Sequence, residues 1–336
     1  MKIEILVREL PLKHTFTIAH QSRDVQTTLI VKLTDGDLYG LGESTTNPFY
    51  GMTVENMTSA LEEAQPLLEN ESIQHPEMLW EKTKAIFSSN PFAQCALDIA
   101  AWDLFAKKQG QKLYDYWGFD PKNIPLTNFT IGIAPIEKMV AKMKEFDWPL
   151  YKIKLGTDHD MEIIRELRKH TDAVFRIDAN CAWTAEQAIR YSEELKSLRV
   201  EFMEQPLGKD DLEGMKEVFK HSALPVMADE SCILESDVKK CHGLFHGINV
   251  KLVKAGGITP GLRMIQEAKS LGMKTMVGCM TESSVGISAI AHLAAILDYV
   301  DMDGAMLLAK DIATGVEISP DGVVFPDRLG TGAKLL

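Results

Sequence analysis

Three short runs decide the fold: VFRIDAN at 174–180, VEFMEQP at 200–206 and PVMADES at 225–231. Each is apolar, as a strand covered on both faces must be, until an acid appears at its C-terminal end. The acids are Asp178, Glu204 and Asp229, spaced 26 and 25 residues apart. About 25 residues is one strand–helix repeat of an eight-stranded barrel of roughly 200–250 residues. Barrel enzymes build their sites at the C-terminal strand ends, so the three carboxylates should converge on one point. Converging carboxylates repel unless a hard cation lies between them, and the spacing therefore predicts a magnesium site.

The beat continues in both directions with lysines. YKIKLG at 151–156 ends a strand, and Lys152 and Lys154 share a side because strand side chains repeat every two residues. Lys154 lies 24 residues before Asp178, and Lys251, in INVKLVKAGG, lies 22 residues after Asp229. MKTMVGCM at 273–280 and YVDMDGAM at 299–306 supply the last strands. The segments between them read as helices: HDMEIIRELRKH, TAEQAIRYSEELKSL and TPGLRMIQEAKSLG. TAEQ has capping-box spacing, and Pro260 suits a first helical turn. Strand thus alternates with helix from about 125 to about 310, which predicts a parallel α/β barrel.

Bulk properties narrow the class. The chain has 336 residues, 45% apolar and 25% charged, enough for one large core and a smaller companion. A formal net charge of −12 argues against nucleic acid or an anionic membrane as partner. The five cysteines (95, 181, 232, 241 and 279) are scattered, odd in number and free of any CxxC pair, which fits reduced core thiols. MKIEILVRELPLKH mixes charged and apolar residues too finely for a signal peptide. The longest apolar stretch, 285–300, is interrupted by His292 and Asp298, so no membrane span is expected. A soluble cytoplasmic protein is the expectation.

Residues 1–115 keep a different rhythm. TTLIVKL, TDGD and LYGLGES read as a hairpin with Asp35-Gly36 in the turn. Helical patterns follow at about 54–69, 75–87 and 91–108, the last with an alanine stripe suited to close packing. An α+β domain over 1–115, a barrel over 116–310, and a tail over 311–336 returning to the first domain are expected. The tail carries a strand–turn–strand pattern, VEISPDGVVFP.

Together these residues resemble a family. The ALDxAxWDL helix at 96–104, the KxK strand, the ordered Asp, Glu and Asp strand ends and the lysine of NVKLVKAGG are similar to the enolase superfamily. The KxK resembles that of its muconate-lactonizing-enzyme subgroup. Within it, Asp301 and Asp303 of DMDG resemble the dipeptide epimerases, in which an Asp-x-Asp holds the α-ammonium of a dipeptide. The resemblance implies Mg²⁺ and a bilobed fold, a (β/α)7β modified TIM barrel under an α+β capping domain. It implies metal ligation by Asp178, Glu204 and Asp229, and acid/base roles for Lys154 and Lys251. Lys152, Thr130, Asp301, Asp303 and Arg23 become candidate substrate contacts. Arg23, in IAHQSRD, aligns with an arginine of relatives acting on L-Ala-L/D-Glu, and a guanidinium can pair bidentately with a glutamate side chain. His20 and Gln21 leave acidic and hydrophobic second residues both open. A small-molecule dipeptide partner and a homo-oligomer are the remaining expectations.

The chemistry such residues support is 1,1-proton transfer at the α-carbon of the second residue. A cation would stabilise the enediolate charge as a Lewis acid. Lysines on barrel strands 2 and 6 would address opposite faces of the planar intermediate. Crowding by Lys152 and the metal should lower the pKa of Lys154.

Blander readings compete for single residues. One acid at a strand end is usually a cap or a salt bridge, but three in step flanked by two lysines are not. Asp301 and Asp303 could close a turn, although their shared parity suits an acidic clamp. Lys254 reads as structural or peripheral, Gly256-Gly257 as a turn, and Glu282 as a residue that orients neighbours. His242 and His246 have metal spacing, but glycine stands at 243 where a zinc protease needs glutamate. Rival activities are a cycloisomerase, an o-succinylbenzoate synthase or an N-acylamino acid racemase on the same fold. A metal-free Schiff-base aldolase and a non-catalytic scaffold stand further off.

Overall fold

A computed structural model describes residues 1–18 and 21–336. The chain opens with an antiparallel sheet of β1 (Lys2–Ile18), β2 (Gln21–Asp35) and β3 (Leu38–Thr45), in that order. The β2–β3 hairpin turns at Asp35-Gly36, where Gly36 takes a φ of 65°. Helices α1 (Val54–Leu68), α2 (Pro76–Thr83), α3 (Pro91–Lys108) and α4 (Leu113–Trp117) follow. The pattern at 75–87 extends past the observed end of α2. The Thr83 hydroxyl donates back to the Leu79 carbonyl 2.9 Å away, a bond that competes with the helical ladder. The alanine stripe of α3 has the expected effect. A Cβ on Gly40 or Gly42 would stand 2.0 Å from the carbonyl oxygen of Ala100 or Ala96, so only glycine lets β3 lie directly on the helix.

The second region is a barrel of eight parallel strands: β4 (Phe129–Ile131), β5 (Leu150–Lys154), β6 (Val174–Asp178), β7 (Val200–Glu204), β8 (Val226–Ala228), β9 (Gly247–Val250), β10 (Lys274–Gly278) and β11 (Tyr299–Asp301). They lie side by side in sequence order, and a parallel bridge between Thr127 and Val300 joins the last to the first. The connections carry α5 (Ile136–Glu145), α6 (Asp160–Arg168), α7 (Ala185–Ser197), α8 (Leu212–His221), α9 (Val238–Cys241), α10 (Leu252–Ala255) with α11 (Ile258–Ser270), and α12 (Ser284–Leu293). The capping box of α7 forms as its sequence predicts, with Thr184 and Gln187 bonded reciprocally. The strands are apolar and buried, with Ile153, Phe175, Ile177, Met203, Val226 and Val250 in the core. No helix among the described residues is long and apolar enough to cross a membrane.

In the tail, β12 (Ala313–Thr314) pairs with β15 (Lys334–Leu335), and β13 (Glu317–Ser319) forms a hairpin with β14 (Gly322–Val324). The VEISPDGVVFP hairpin therefore forms, but it pairs only with itself among the described strands. The tail's bonds to the first region come from its far end instead. The Thr331 amide donates to Asp103 of α3 at 2.7 Å, and the Gly330 amide to the Gln111 carbonyl at 2.9 Å.

Candidate active site at the carboxyl ends of the barrel strands

Register brings the charged residues level. Lys154 on β5 pairs with Asp178 on β6, which pairs with Glu204 on β7. One layer deeper, Thr130 on β4 pairs with Lys152. Asp229 follows β8 directly, and Lys251 follows β9. The strand backbone leaves extended geometry just past the acids, with φ of 43° at Asn180 and 37° at Gln205. Such left-handed non-glycine residues are strained and concentrate at functional sites. Gln205 repays part of this by accepting the amides of Asp229 and Ser231 on Oε1 at 3.0 and 3.1 Å.

Asp178, Glu204 and Asp229 are buried, and one carboxylate oxygen from each lies within 4.8 Å of the others. Three hard oxygen donors converging this closely fit a hard divalent cation, and nothing softer than oxygen joins them. Four lysines surround them. Lys152 Nζ lies 2.7 Å from Glu204 Oε2, 3.2 Å from Asp178 Oδ2 and 2.9 Å from Asp301 Oδ2. Lys154 Nζ lies 2.6 Å from Asp178 Oδ2, and Lys251 Nζ lies 2.8 Å from Asp229 Oδ2. Lys254 pairs with the other oxygen of Asp229 and donates to its carbonyl at 2.6 Å.

Burial and charge pull these groups in opposite directions. Burial pushes Asp178 up, but Lys154 and Lys152 bring it below the usual carboxylate range. Asp229 is likewise pulled below it by Lys251 and Lys254, against burial. Glu204 ends above its ordinary value, because burial outweighs Lys152. Burial opposes the charge on Lys152, yet Asp301, Glu204 and Asp178 hold it well above the ordinary lysine value. Buried charges are tolerated only when paired this completely.

A cavity of about 480 Å³ opens above this cluster, lined by Thr130, Lys152, Lys154, Asp229, Lys251, Asp301 and Asp303 from the barrel. The first region closes it with Phe16, Ile18, Gln21 and Arg23 from the β1–β2 hairpin and with residues 47–50 after β3. His20 lies outside the described residues. All ten candidate site residues of the sequence are thus brought together: seven line the barrel side, Arg23 lines the cap side, and Asp178 and Glu204 lie beneath with Asp229.

The structure refines the sequence reading in several details. Asp301 ends β11, but Asp303 lies beyond it, where it accepts the Thr130 amide at 2.5 Å. The clamp is asymmetric. Asp301 is engaged by Lys152 and by Asn128 at 2.8 Å; burial pushes it up, but Lys152 brings it to about 2. Asp303 is pushed up to about 7 by burial and by Asp301. Lys254 is not peripheral. The single turn of α10 places it three residues past Lys251 and folds it back onto Asp229, wholly buried. His246 accepts the Val226 amide on Nδ1 at 3.1 Å and packs on Phe219, a structural role. Arg23 donates to the side-chain oxygens of Gln21 and Gln26, with no carboxylate in reach among the described residues.

Sequence reasoning missed five members. Asn249 donates to Glu204 Oε1 at 2.8 Å, and its parity with Lys251 on β9 was a usable signal. Glu230 lines the cavity beside Asp229 and is pushed up to about 7 by burial and then by Asp229 and Asp178. Asn47, Phe49 and Tyr50 had no chemical signature to mark them.

An eight-stranded parallel barrel with an acid trio and flanking lysines at its mouth, under a sheet-and-helix cap, defines the architecture of enolase-like enzymes. Residues 2–118 match the N-terminal domain of mandelate racemase and muconate lactonizing enzyme, and residues 136–336 match the enolase C-terminal domain-like family. The chain is 58% identical over 337 residues to an L-Ala-D/L-amino acid epimerase of Flavobacterium johnsoniae, covering 100% of each. Its structure is similar to a substrate-liganded L-Ala-D/L-Glu epimerase from Bacillus subtilis, with a TM-score of 0.94 at 29% identity over 99% of each chain. It is also similar to a dipeptide epimerase from Enterococcus faecalis complexed with Mg and L-Leu-L-Tyr, with a TM-score of 0.92 at 31% identity over 99% of this chain and 98% of the other. The chain belongs to the mandelate racemase/muconate lactonizing enzyme family of the enolase superfamily. Its activity is that of an isomerase.

Proposed function

We propose that this protein is a Mg²⁺-dependent dipeptide epimerase that inverts the α-carbon of the second residue, with Lys154 and Lys251 as its two acid/bases. One observation carries the reading. Lys154 and Lys251 stand on strands four apart in an eight-stranded barrel, hence across the mouth from each other, with the acid trio on the three strands between. Asp178, Glu204 and Asp229 would hold the metal, which when bound supplies Lewis acidity toward the substrate's carboxylate. One lysine takes the α-proton from one face and the other returns a proton from the opposite face, so the stereocentre inverts. Lys152 balances the buried charge of Glu204 and Asp301. Thr130 holds Asp303 in place, and Asp303 with Asp301 receives the dipeptide's α-ammonium. The epimerase relatives support this substrate class.

The test is selectivity for a free amine. A charge-assisted hydrogen bond is worth roughly 1.5–3 kcal/mol, so Asp303→Asn should lower kcat/KM for free dipeptides by about 10- to 100-fold. N-acetylated dipeptides should be poor substrates of the wild type and should lose much less in the variant. Equal turnover of acetylated and free dipeptides by the wild type would exclude the epimerase reading and favour an N-acylamino acid racemase.

Arg23 is proposed as the contact for an acidic second side chain. Among the described residues its guanidinium is held only by neutral amide oxygens, which a carboxylate would outcompete. Arg23→Met should cost about 10- to 100-fold in kcat/KM on L-Ala-L-Glu and little on L-Ala-L-Leu. Parallel losses on both substrates, measured in one coupled assay, would refute this role.

A further inference from the structure

Strand parity on β3 separates two jobs. Gly40 and Gly42 face α3 and let the strand press against it, so Leu41 and Glu43 face the other way, toward α12. Leu41 packs in one cluster with Val285 of α12. Glu43 is wholly buried and crosses from the cap to the barrel. Its carboxylate accepts the Ser283 amide at 3.0 and 3.1 Å, the Ser283 hydroxyl at 2.5 Å, the Gly286 amide at 2.9 Å and the Thr28 hydroxyl at 2.9 Å. A carboxylate surrounded by donors at the start of a ten-residue helix gains from both the hydrogen bonds and the helix dipole.

The segment so anchored is the turn that follows β10. Its residues Cys279, Met280 and Thr281 line the cavity. The same turn supports the acidic clamp: the Cys279 amide donates to the Asp301 carbonyl at 2.8 Å. It also abuts the residue after Asp303. A Cβ on Gly304 would stand 2.5 Å from the Met280 carbonyl oxygen and 2.9 Å from the Glu282 nitrogen. Interiors packed this closely transmit displacement. A turn released at Ser283 would therefore move the wall that holds Asp303.

We propose that Glu43 is a positioning residue: through Ser283 and Gly286 it fixes the 279–283 turn and, through Gly304, the placement of Asp303 at the substrate's ammonium. It touches neither the reacting carbon nor the acid trio. The kinetic consequence rests on the dipeptide reading, and the structural consequence does not.

The experiment pairs Glu43→Gln with the milder Ser283→Ala. The glutamine keeps size but turns an amide toward donors that need an acceptor. KM for the preferred free dipeptide should rise about tenfold in Glu43→Gln, with kcat within about threefold, since the ammonium contact is weakened equally in the ground state and the transition state. Ser283→Ala should shift KM the same way by a smaller factor. The Mg²⁺ dissociation constant, read by calorimetry, should not change. Amide hydrogen exchange should quicken at 279–286 and 303–306 and stay as in the wild type across the ends of the first six barrel strands, which include those of Lys154 and Lys251. Unchanged KM with only a lower Tm would overturn the proposal, as would a joint fall in kcat and Mg²⁺ affinity. If Glu43→Gln does not fold, Ser283→Ala decides alone. If the wild type epimerises no dipeptide, the functional reading fails, while exchange at 303–306 still decides whether Glu43 supports Asp303.

Discussion

Glu204→Gln should abolish epimerisation while the protein stays folded. Glu204 is wholly buried, with Asn249 donating to Oε1 and Lys152 Nζ 2.7 Å from Oε2. A glutamine fits the volume, but its amide group must face one of these two donors whichever way it is turned. The substitution also removes one of three charges from the proposed metal site. Lewis-acid stabilisation of the developing negative charge is worth several kcal/mol, so a loss on the order of a thousandfold is expected. Lys152 keeps Asp178 and Asp301 as partners, which limits the cost to the fold. Calorimetric titration should show weakened or absent Mg²⁺ binding, and circular dichroism should match the wild type. Undiminished activity in Glu204→Gln, or in wild type after exhaustive chelation, would remove the basis of the metal assignment.

The features legible in the sequence share a physical cause. A strand buried on both faces must be apolar along its length, so a charge at its end stands out, and the strand–helix repeat fixes where the next one falls. That logic located Lys154, Asp178, Glu204, Asp229 and Lys251 without any knowledge of contacts. It failed where the chain ran more than one residue past the strand. Lys254 lies past β9 and reads from sequence as structural or peripheral, yet the one-turn helix α10 folds it back onto Asp229. Asp303 has strand parity with Asp301 in the sequence, although β11 ends at Asp301 and Asp303 is held instead by the Thr130 amide. Glu43 sat in a strand of the cap, and nothing local says that its partners are 240 residues away at Ser283. Only the tertiary packing of cap on barrel reveals it. The same holds for residues 47–50, whose side chains enter the cavity from a turn with no periodicity to read.

Removing either lysine should stop epimerisation but leave proton exchange on one epimer. Inversion through a planar intermediate needs a base on one face and an acid on the other. With Lys154→Ala, Lys251 can still remove and return a proton on its own face. One epimer should therefore wash its α-proton into D₂O with retention, and the other should not exchange. Lys251→Ala should show the mirror pattern. Each acid retains a partner after the loss: Asp178 keeps Lys152 at 3.2 Å, and Asp229 keeps Lys254. Both variants should thus fold and keep their Mg²⁺ affinity to within a small factor. General acid–base groups contribute about 10²–10⁴-fold, and epimerisation should fall by at least that much in each variant. The measurement is proton NMR of each pure epimer in D₂O with Mg²⁺, following the α-proton signal and the appearance of the other epimer separately. Residual epimerisation near the wild-type rate in either variant, or exchange of both epimers by a single-lysine variant, would show that one lysine serves both faces and would end the two-base mechanism.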